Sequence, residues 1–225
     1  IIEPSREKLL PEPLQYPYIQ PPYTLVLEMT GILVHPCWSF NTGWRFKKRP
    51  GLDYFLKAVG PPMFETVIFT KESGMNADPL LNNLDPEGHI MYRLYRDATR
   101  YTNNIHVKDL SCLNRDLSRV IFIDWDKEAF QLQKSNAFRL KKYDGEDDDR
   151  YLVDLAHFLQ AIAASKVEDV RPVLDYYSQF DEPLEKFKEN QAKLQEEQEK
   201  MAAQIKQQQK NPGLGGFSTG FFRRS

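Results

Sequence analysis

Five polar side chains of this chain stand where they could handle a phosphate group and a magnesium ion. They are Glu28, Thr30, Thr70, Lys108 and Asp124. A lysine neutralises phosphate charge, a hydroxyl binds a phosphate oxygen, and carboxylate oxygens are ligands that Mg²⁺ accepts. These residue types are the set that phosphoryl transfer needs, provided that the fold brings them to one place.

Short apolar runs typical of buried strands end at or next to four of these positions. We predict strands over Thr24–Glu28, Glu65–Thr70 and Arg119–Asp124, and weaker strands over 90–94 and 137–140. Helical patterns lie near 51–59, 75–84, 109–113, 127–132, 150–164 and 168–178. This alternation predicts an α/β fold, a parallel sheet with helices on both faces. Because the carboxyl ends of parallel strands meet at one edge, the polar residues that follow them are expected to converge there.

The chain has 225 residues, enough for one sizeable core with extensions. We expect a proline-rich, extended lead-in over residues 1–23, held on the domain surface by Tyr16, Tyr18 and Tyr23. The α/β domain is predicted over 24–178, with a β-hairpin insertion over 35–50 that would cover the strand-end site. A C-terminal helix is predicted over 179–210, and the Gly-rich residues 211–225 are expected to be disordered.

The C-terminal helix carries an apolar seam with a heptad-like spacing. Its members alternate three and four residues apart: Leu184, Phe187, Gln191, Leu194, Gln198, Met201 and Ile205. Because two of these positions are glutamine, a strong zipper is not expected. A single helix that docks on a partner, a weak coiled coil and a solvated helix without a partner all fit the pattern.

Composition and charge exclude several classes of function. The net charge is −2 at pH 7, so no general attraction to nucleic acid is expected. No apolar run of roughly 18 residues is present, so no membrane span is predicted within the chain. The chain starts at Ile1 without a Met or a targeting peptide, and we expect it to be a mature or truncated portion of a longer protein. Cys37 and Cys112 are too few for a disulfide framework or a four-ligand metal site. We expect no cofactor and no resident metal.

Several segments resemble the haloacid-dehalogenase-type (HAD) phosphatases, and within them the FCP/SCP branch. T-G-I-L-V-H at 30–35 is similar to the D-E-T-L-V-H of that branch, and the segment at 65–79 to its F-T-A-S and Y-A-D-P sequences. I-M-Y-R-L-Y-R at 90–96 and V-K-D-L at 107–110 match it almost residue for residue. The resemblance covers residues 24–178 and implies a HAD-like parallel sheet whose phosphate site would be the five polar residues.

The departures from that family decide the expected chemistry. Its nucleophilic aspartate falls on Glu28, where the extra methylene displaces the carboxylate by about 1 Å, which can cost about 10²-fold in rate. Its acid/base aspartate falls on Thr30, and losing a general acid typically costs about 10²–10⁴-fold. Its motif threonine falls on Ile32 and its metal-site asparagine on Trp125. We predict a pseudophosphatase, with weak metal binding at Glu28 and Asp124 as the alternative.

Four further segments narrow the resemblance. L-V-L-E-M-T-G-I-L at 25–33, G-W-R-F-K-K-R-P-G at 43–51, R-D-A-T-R-Y at 96–101 and V-E-D-V-R-P-V-L at 167–174 are similar to receptor subunits of the mitochondrial inner-membrane presequence translocase. This implies a protein anchored in the inner membrane, with this domain in the intermembrane space. It would bind incoming presequences and pass them to the channel subunit. The other two hypotheses are an Mg²⁺-dependent protein phosphatase with an unusual loop and a structural scaffold that binds no peptide.

A presequence is a basic amphipathic helix, so its receptor needs an apolar groove flanked by acids. The candidate residues form an acidic segment, Asp144, Glu146, Asp147, Asp148 and Asp149, and a second area, Asp175, Tyr176, Tyr177 and Asp181. The alternatives are that the first group caps the helix after it and that the second is a solvated face.

The predicted hairpin has the opposite charge and many aromatic residues. Exposed aromatic side chains beside basic ones are typical of a protein-docking surface. The residues expected to dock on the channel subunit are Trp38, Phe40, Trp44, Arg45, Lys47 and Lys48. The alternative is a hairpin packed on its own domain.

Overall fold

Five parallel strands form the central sheet in this computed structural model, which describes residues 1–210. The strands of the chain are β1 (Tyr23–Leu27), β2 (Val34–Ser39), β3 (Gly43–Lys48), β4 (Phe64–Phe69), β5 (Tyr92–Leu94), β6 (Arg100–Thr102), β7 (Ile105–Val107), β8 (Val120–Asp124) and β9 (Ala137–Arg139). The sheet order is β5-β4-β1-β8-β9, and every pair in it is parallel. The predicted α/β fold is confirmed.

The helices are α1 (Leu52–Ala58), α2 (Gly74–Leu84), α3 (Tyr151–Ala164), α4 (Arg171–Ser178) and α5 (Pro183–Lys210). Short 3₁₀ helices cover Arg96–Ala98, Leu110–Cys112, Leu117–Arg119 and Lys134–Asn136. The chain divides into two compact units, Ile1–Leu184 and a second that begins at Glu185. The residues 211–225 that we expected to be disordered lie outside the described residues. Among the described residues, no helix combines the length and apolarity needed to cross a bilayer.

The two faces of the sheet follow from the alternation of side chains along each strand. Val26, Val67 and Phe122 point to one face, where they pack in a core cluster with Leu9 and Leu10 of the lead-in. The other face is covered by α1 and α3, which contact each other. On that side the ring of Phe138 in β9 lies 4.9 Å from the ring of Phe158 in α3. The central strands are therefore buried on both faces, which explains their nearly continuous apolar sequence.

The predicted hairpin insertion is confirmed as the antiparallel pair β2–β3, which directly follows the loop after β1. A second small hairpin, β6–β7, was not predicted from the sequence. Its strands have three residues each, too short to produce a periodic pattern.

Two expectations from the sequence are wrong. Residues 127–132 form turns and not a helix, because the carbonyl of Ala129 accepts the N–H of Lys108, a bond that a helix would give to residue 133. In the lead-in, Tyr16 and Tyr18 are exposed and do not anchor it. The anchors are the buried Leu9, Leu10 and Tyr23. Burial of these side chains in the core stabilises the folded lead-in more than tyrosine rings left exposed on the surface would.

Candidate functional site

The structure places the five polar residues at the carboxyl edge of the sheet. Glu28 follows β1, Thr70 follows β4 and Asp124 ends β8, while Lys108 directly follows β7. Glu28, Lys108 and Asp124 are almost completely enclosed, with 2%, 0% and 1% of their surfaces exposed. The topology therefore brings together residues that are up to 96 positions apart in the chain, 28 to 124.

Lys108 lies between the two carboxylates. Its Nζ donates to Glu28 Oε2 at 2.5 Å and to Asp124 Oδ2 at 2.6 Å. Burial disfavours the ammonium ion, but the two carboxylates outweigh that penalty and raise the pKa of Lys108. Burial also raises the pKa of Asp124, against the opposing effect of Lys108 and with a further contribution from Glu28. The three groups form one buried cluster with a positive centre.

The second oxygen of Glu28 is bound by its own loop. Oε1 accepts the backbone N–H of Met29 at 2.7 Å and that of Thr30 at 3.3 Å. Both oxygens of this carboxylate are therefore engaged, one by two backbone amides and one by Lys108. Backbone N–H groups beside a lysine are the donors that bind phosphate oxygens in phosphoryl-transfer sites, and here a side chain of the protein occupies them.

Trp125 covers the loop from outside. Its Nε1 donates to the carbonyl of Thr30 at 2.9 Å, and the ammonium groups of Lys142 and Lys71 lie 4.2 Å and 5.2 Å from its ring centre. The approach needs Gly31, which has φ +84°, because a Cβ there would lie 2.5 Å from Trp125 Nε1. The indole therefore closes the place where the related family has an amide side chain.

The two threonines of the site do not join the charged cluster. Thr70 Oγ1 accepts the backbone N–H of Glu72 at 3.2 Å. Thr30 Oγ1 is buried and has no hydrogen-bond partner among the described residues. A threonine hydroxyl cannot serve as a carboxylic acid, so the arrangement offers no general acid at this position.

The residues present do not fit the Mg²⁺ that the fold family implies. The carboxylates of Glu28 and Asp124 are both bound to the ammonium of Lys108, which lies where a divalent ion would have to sit. Trp125 offers no oxygen ligand. Within residues 1–210, no group of three or more His, Cys, Asp or Glu side chains is arranged to hold a metal ion.

The hairpin β2–β3 has two unlike faces. Cross-strand pairs share a face, so Pro36 with Phe46 and Trp38 with Trp44 form one face, while Cys37 with Arg45 and His35 with Lys47 form the other. Trp38 and Trp44 are 59% and 72% exposed, and Phe40 near the turn is 91% exposed. The aromatic face is therefore open to solvent, and Arg45 and Lys48 are also exposed.

The acidic segment lies against the basic face of this hairpin. Lys47 Nζ contacts Asp147 Oδ1 at 2.7 Å and the Gly145 carbonyl at 2.6 Å. Two positions farther along the chain, Arg49 is buried and holds Asp149 through two hydrogen bonds, Nε–Oδ1 at 2.8 Å and Nη2–Oδ2 at 2.9 Å. Asp149 also accepts the N–H of Tyr151 at the start of α3. Asp149 therefore anchors the end of the hairpin and binds one of the first backbone N–H groups of α3.

The predicted acids thus divide into displayed and buried ones. Asp144, Glu146, Asp147 and Asp148 are exposed, whereas the Asp149 side chain is only 5% exposed. In the second area Asp175, Tyr176 and Asp181 are exposed and Tyr177 is half-buried, with its ring 5.2 Å from that of Phe158. The role of Arg49 was missed, and Trp125 was predicted only as the replacement of a metal ligand. Their partners lie about 100 positions away, and no local pattern reports such contacts.

A cavity of about 270 Å³ lies next to Trp125. Its lining combines apolar side chains with charges of both signs: Trp125, Phe138, Arg139, Leu140, Lys141, Lys142, Tyr151, Asp181, Glu182, Pro183 and Leu184. Asp181, a predicted acid of the second area, therefore lines this cavity, and Asp175 of the same area lines two other concave surfaces.

Comparison with known proteins gives one family match and a set of close relatives. Residues 23–171 match the family described as "NLI interacting factor-like phosphatase". The chain is 56% identical to the mitochondrial import inner membrane translocase subunit TIM50 of Danio rerio over 98% of this chain, and 54% identical to that of Homo sapiens over 100%. The subunit of Caenorhabditis elegans is 54% identical over 84% of the chain.

The chain spans only part of these relatives, 56% of the Danio rerio protein, 64% of the human one and 42% of the Caenorhabditis elegans one. Among solved structures, Fcp1, described as an essential RNA polymerase II CTD phosphatase, matches with a TM-score of 0.55 and 14% identity. The match covers 69% of this chain and 70% of that one, and it establishes a shared fold.

Proposed function

The chain belongs to the NLI interacting factor-like phosphatase family, and from that premise we propose that it is a non-catalytic receptor in mitochondrial protein import. It binds the basic amphipathic presequences of incoming precursors and passes them to the channel subunit of the inner-membrane translocase. The class of function comes from the TIM50 relatives, whose name places them in that translocase.

The observation that carries the loss of catalysis is the bonding of Glu28. Its carboxylate accepts two backbone N–H groups and the ammonium of Lys108, so the donors that would hold a phosphoryl group are already used. The carboxylate is also enclosed, which keeps it from attacking a substrate. A phosphatase would need this side chain to leave its site and Trp125 to open.

Hydrolysis of an aryl phosphate with and without Mg²⁺ tests this part of the proposal. We expect no Mg²⁺-dependent turnover by the unaltered chain. Turnover that needs Mg²⁺ and disappears in Glu28→Ala would instead establish the alternative, an Mg²⁺-dependent protein phosphatase.

The presequence is proposed to bind at the exposed acids. Asp144, Glu146 and Asp148 are exposed to solvent and form no ion pair within residues 1–210, and Asp147 forms an ion pair with Lys47. Asp175 and Asp181 flank the exposed ring of Tyr176, which offers apolar area beside charge. Asp149 is left out of the binding set, because its charge is already satisfied by Arg49.

Titration of a labelled presequence peptide at two salt concentrations tests the acidic segment. The variant Asp144→Asn, Glu146→Gln, Asp148→Asn is expected to bind several-fold more weakly, with a smaller salt dependence, because it loses three exposed charges. The matched control is Glu7→Gln, Glu128→Gln, Glu168→Gln, which removes three exposed acids elsewhere. Equal loss in the two variants would show only a dependence on net charge and would overturn the assignment of this segment.

The aromatic face of the hairpin is proposed to dock on the channel subunit. Trp38 and Trp44 form an exposed aromatic surface on a two-stranded arm, with the exposed Phe40 near its turn. Lys48 adds charge on the same face, and the exposed Arg45 lies on the opposite face. Exposed tryptophans are frequent anchors of protein interfaces, whereas a hairpin that stays in solvent gains no stability from exposing them.

Trp38→Ala and Trp44→Ala should weaken capture of the channel subunit and leave peptide binding unchanged. The matched control is Tyr54→Ala, an exposed aromatic residue on α1.

The site of action is proposed to be the intermembrane space, with the membrane anchor in a segment upstream of Ile1. The relatives' name supports the inner membrane, and the domain's exposed acids suit an aqueous compartment through which basic presequences pass. Protease protection of the full-length protein in intact and osmotically opened mitochondria distinguishes this location from the matrix.

A further inference from the structure

The helix α5 presents the later part of its apolar seam to solvent, whereas the first two seam residues, Leu184 and Phe187, are buried. From residue 191 to 210 every residue of the helix is exposed. Leu194, Met201 and Ile205 are 49%, 64% and 54% exposed, and they lie on one face of the helix. A helix draws most of its stability from packing of its apolar face, so an uncovered seam on a 28-residue helix indicates a partner helix.

We infer that this seam pairs with the same seam of a second copy of the chain, in a parallel, in-register, two-stranded coiled coil. The inference goes beyond the proposed receptor function and does not depend on it. Two features of the helix support this pairing: the polar members of the seam and the charges beside it.

The polar members of the seam favour pairing with an identical helix. Gln191 and Gln198 belong to the same seam as the three apolar residues. In a parallel, in-register pair each glutamine faces its own copy, and the two amides can hydrogen-bond to each other. An antiparallel pair would place both amides against apolar side chains, and a parallel pair shifted by one heptad would leave one glutamine of each copy against an apolar side chain, which costs free energy. Glutamine therefore selects the register.

The charges beside the seam do not oppose self-pairing. In a parallel pair the flanking positions that meet are Asn190 with Gln195, Glu197 with Ala202, and Gln204 with Gln209 of the second copy. None of these pairs joins two like charges, so identical copies meet without repulsion. The same neutrality gives an acidic or basic foreign helix no preference over a second copy.

Most of the charged residues lie away from the seam, where they support the helix itself. Glu196 and Lys200 stand four residues apart on the outer face, as do Glu189 and Lys193. Such pairs stabilise an exposed helix by about 0.2–0.5 kcal/mol each. These pairs help the helix to remain folded in the monomer.

The association is expected to be weak in free solution. The exposed seam from 191 to 205 covers about four helical turns and buries little area. We expect monomers at micromolar concentration and dimers at several hundred micromolar. Tethering two copies to one membrane would raise their effective concentration and favour the pair.

Disulfide trapping tests the arrangement in the whole chain with Cys37→Ser and Cys112→Ser, since both native cysteines are free. Gln191→Cys and Ile205→Cys are each expected to crosslink to their own copy under mild oxidation, because in-register seam positions lie within disulfide distance. The control is Glu196→Cys on the outer face, which should crosslink at least tenfold more slowly. An antiparallel pair could trap at most one of the two seam sites, so crosslinking at only one of them, or at the control rate in both, would overturn the inference.

Sedimentation equilibrium gives a second readout that needs no cysteine. Gln198→Leu is expected to shift the monomer–dimer balance toward dimer, and Met201→Lys toward monomer, while circular dichroism checks that the helix remains. A chain that stays monomeric at every concentration in both variants would refute the pairing.

Discussion

At the scale of single residues, the strand-end cluster is a buried network of charges bound to one another. The carboxylate of Glu28, which the resemblance aligned with a nucleophile, accepts hydrogen bonds from its own loop and from Lys108. Lys108 then serves as the counter-ion of two buried acids. The cluster is expected to contribute strongly to the free energy of unfolding, because removing one of its buried charges leaves an opposite charge without an ionic partner.

Replacing Lys108 with Met should therefore lower the free energy of unfolding by about 3–5 kcal/mol, since two buried carboxylates lose their partner. Urea unfolding measures the change, and Lys127→Met, at an exposed position, is the control that should change little. Adding Glu28→Gln to Lys108→Met should recover part of the loss. If Lys108→Met lowered the free energy of unfolding by less than about 1 kcal/mol, the two acids would not depend on the lysine, and the prediction would be wrong.

A second residue-scale prediction concerns Glu65 and acid stability. Burial alone would raise the pKa of Glu65, but the hydrogen bonds from Arg115 and Thr24 outweigh it and lower the pKa below its ordinary value of 4.5. The native state therefore binds this proton less readily than the unfolded chain, so its stabilising effect is present above pH 4.5 and is lost as pH falls through the lower native pKa.

The measurement is the free energy of unfolding between pH 6 and pH 3. Glu65→Gln is expected to be less stable at pH 6 and to show a shallower decline with acid than the unaltered chain. The control is Glu128→Gln at an exposed position. Parallel pH curves for the unaltered chain and Glu65→Gln would contradict the assignment.

At the scale of elements, the hairpin and the acidic segment hold each other in place through ion pairs. The hairpin is fixed at its base by the buried pair of Arg49 and Asp149 and held farther out by the exposed pair of Lys47 and Asp147. The basic face of the hairpin and the acidic segment, which lie about 100 residues apart in the sequence, are thus adjacent surfaces of opposite charge. The arrangement turns the aromatic face of the hairpin away from the segment that its basic face contacts.

The two ion pairs should differ greatly in their effect on stability. Arg49→Ala is expected to cost about 3–5 kcal/mol, because it leaves a buried aspartate unpaired and removes the bonds to the carbonyls of Ile32 and Lys141. Lys47→Ala should leave the unfolding midpoint nearly unchanged, because its pair is exposed to solvent and screened. Thermal unfolding of the two variants compares them, and similar shifts in both would contradict the distinction.

At the scale of the whole molecule, the lead-in is part of the domain. Leu9 and Leu10 lie in the same core cluster as Val26, Val67 and Phe122, and the carbonyl of Cys112 accepts the N–H of Leu9. Beyond these residues the lead-in returns to the surface before β1 begins at Tyr23. The domain therefore starts well before its first strand.

Leu9→Ala should lower the free energy of unfolding by about 2–5 kcal/mol, the usual effect of a leucine removed from a core. Leu14→Ala is the matched control, since this leucine of the same lead-in is exposed and should change stability little. Chemical denaturation measures both. Equal effects would show that the lead-in contributes uniformly and not through its buried pair.

The sequence by itself determined the five strands of the parallel sheet, the five α-helices, the hairpin after β1 and the residues at the strand ends. These features follow from local apolar runs, and from the rule that polar residues after parallel strands share an edge. The turns at 127–132 were predicted as a helix, because the sequence does not show that the carbonyl of Ala129 binds the N–H of Lys108 instead of an N–H farther along the same segment.

Only the tertiary structure decided what those residues do. Whether Glu28 points into an open crevice or back to Met29 and Lys108, and whether Asp149 is displayed or bound to Arg49, depends on partners far away in the chain. Residue type fixes a charge, but burial and pairing decide whether that charge is available to a ligand. The physical reason is that long-range contacts leave no periodic trace in the sequence, although they set the free energy of every buried group.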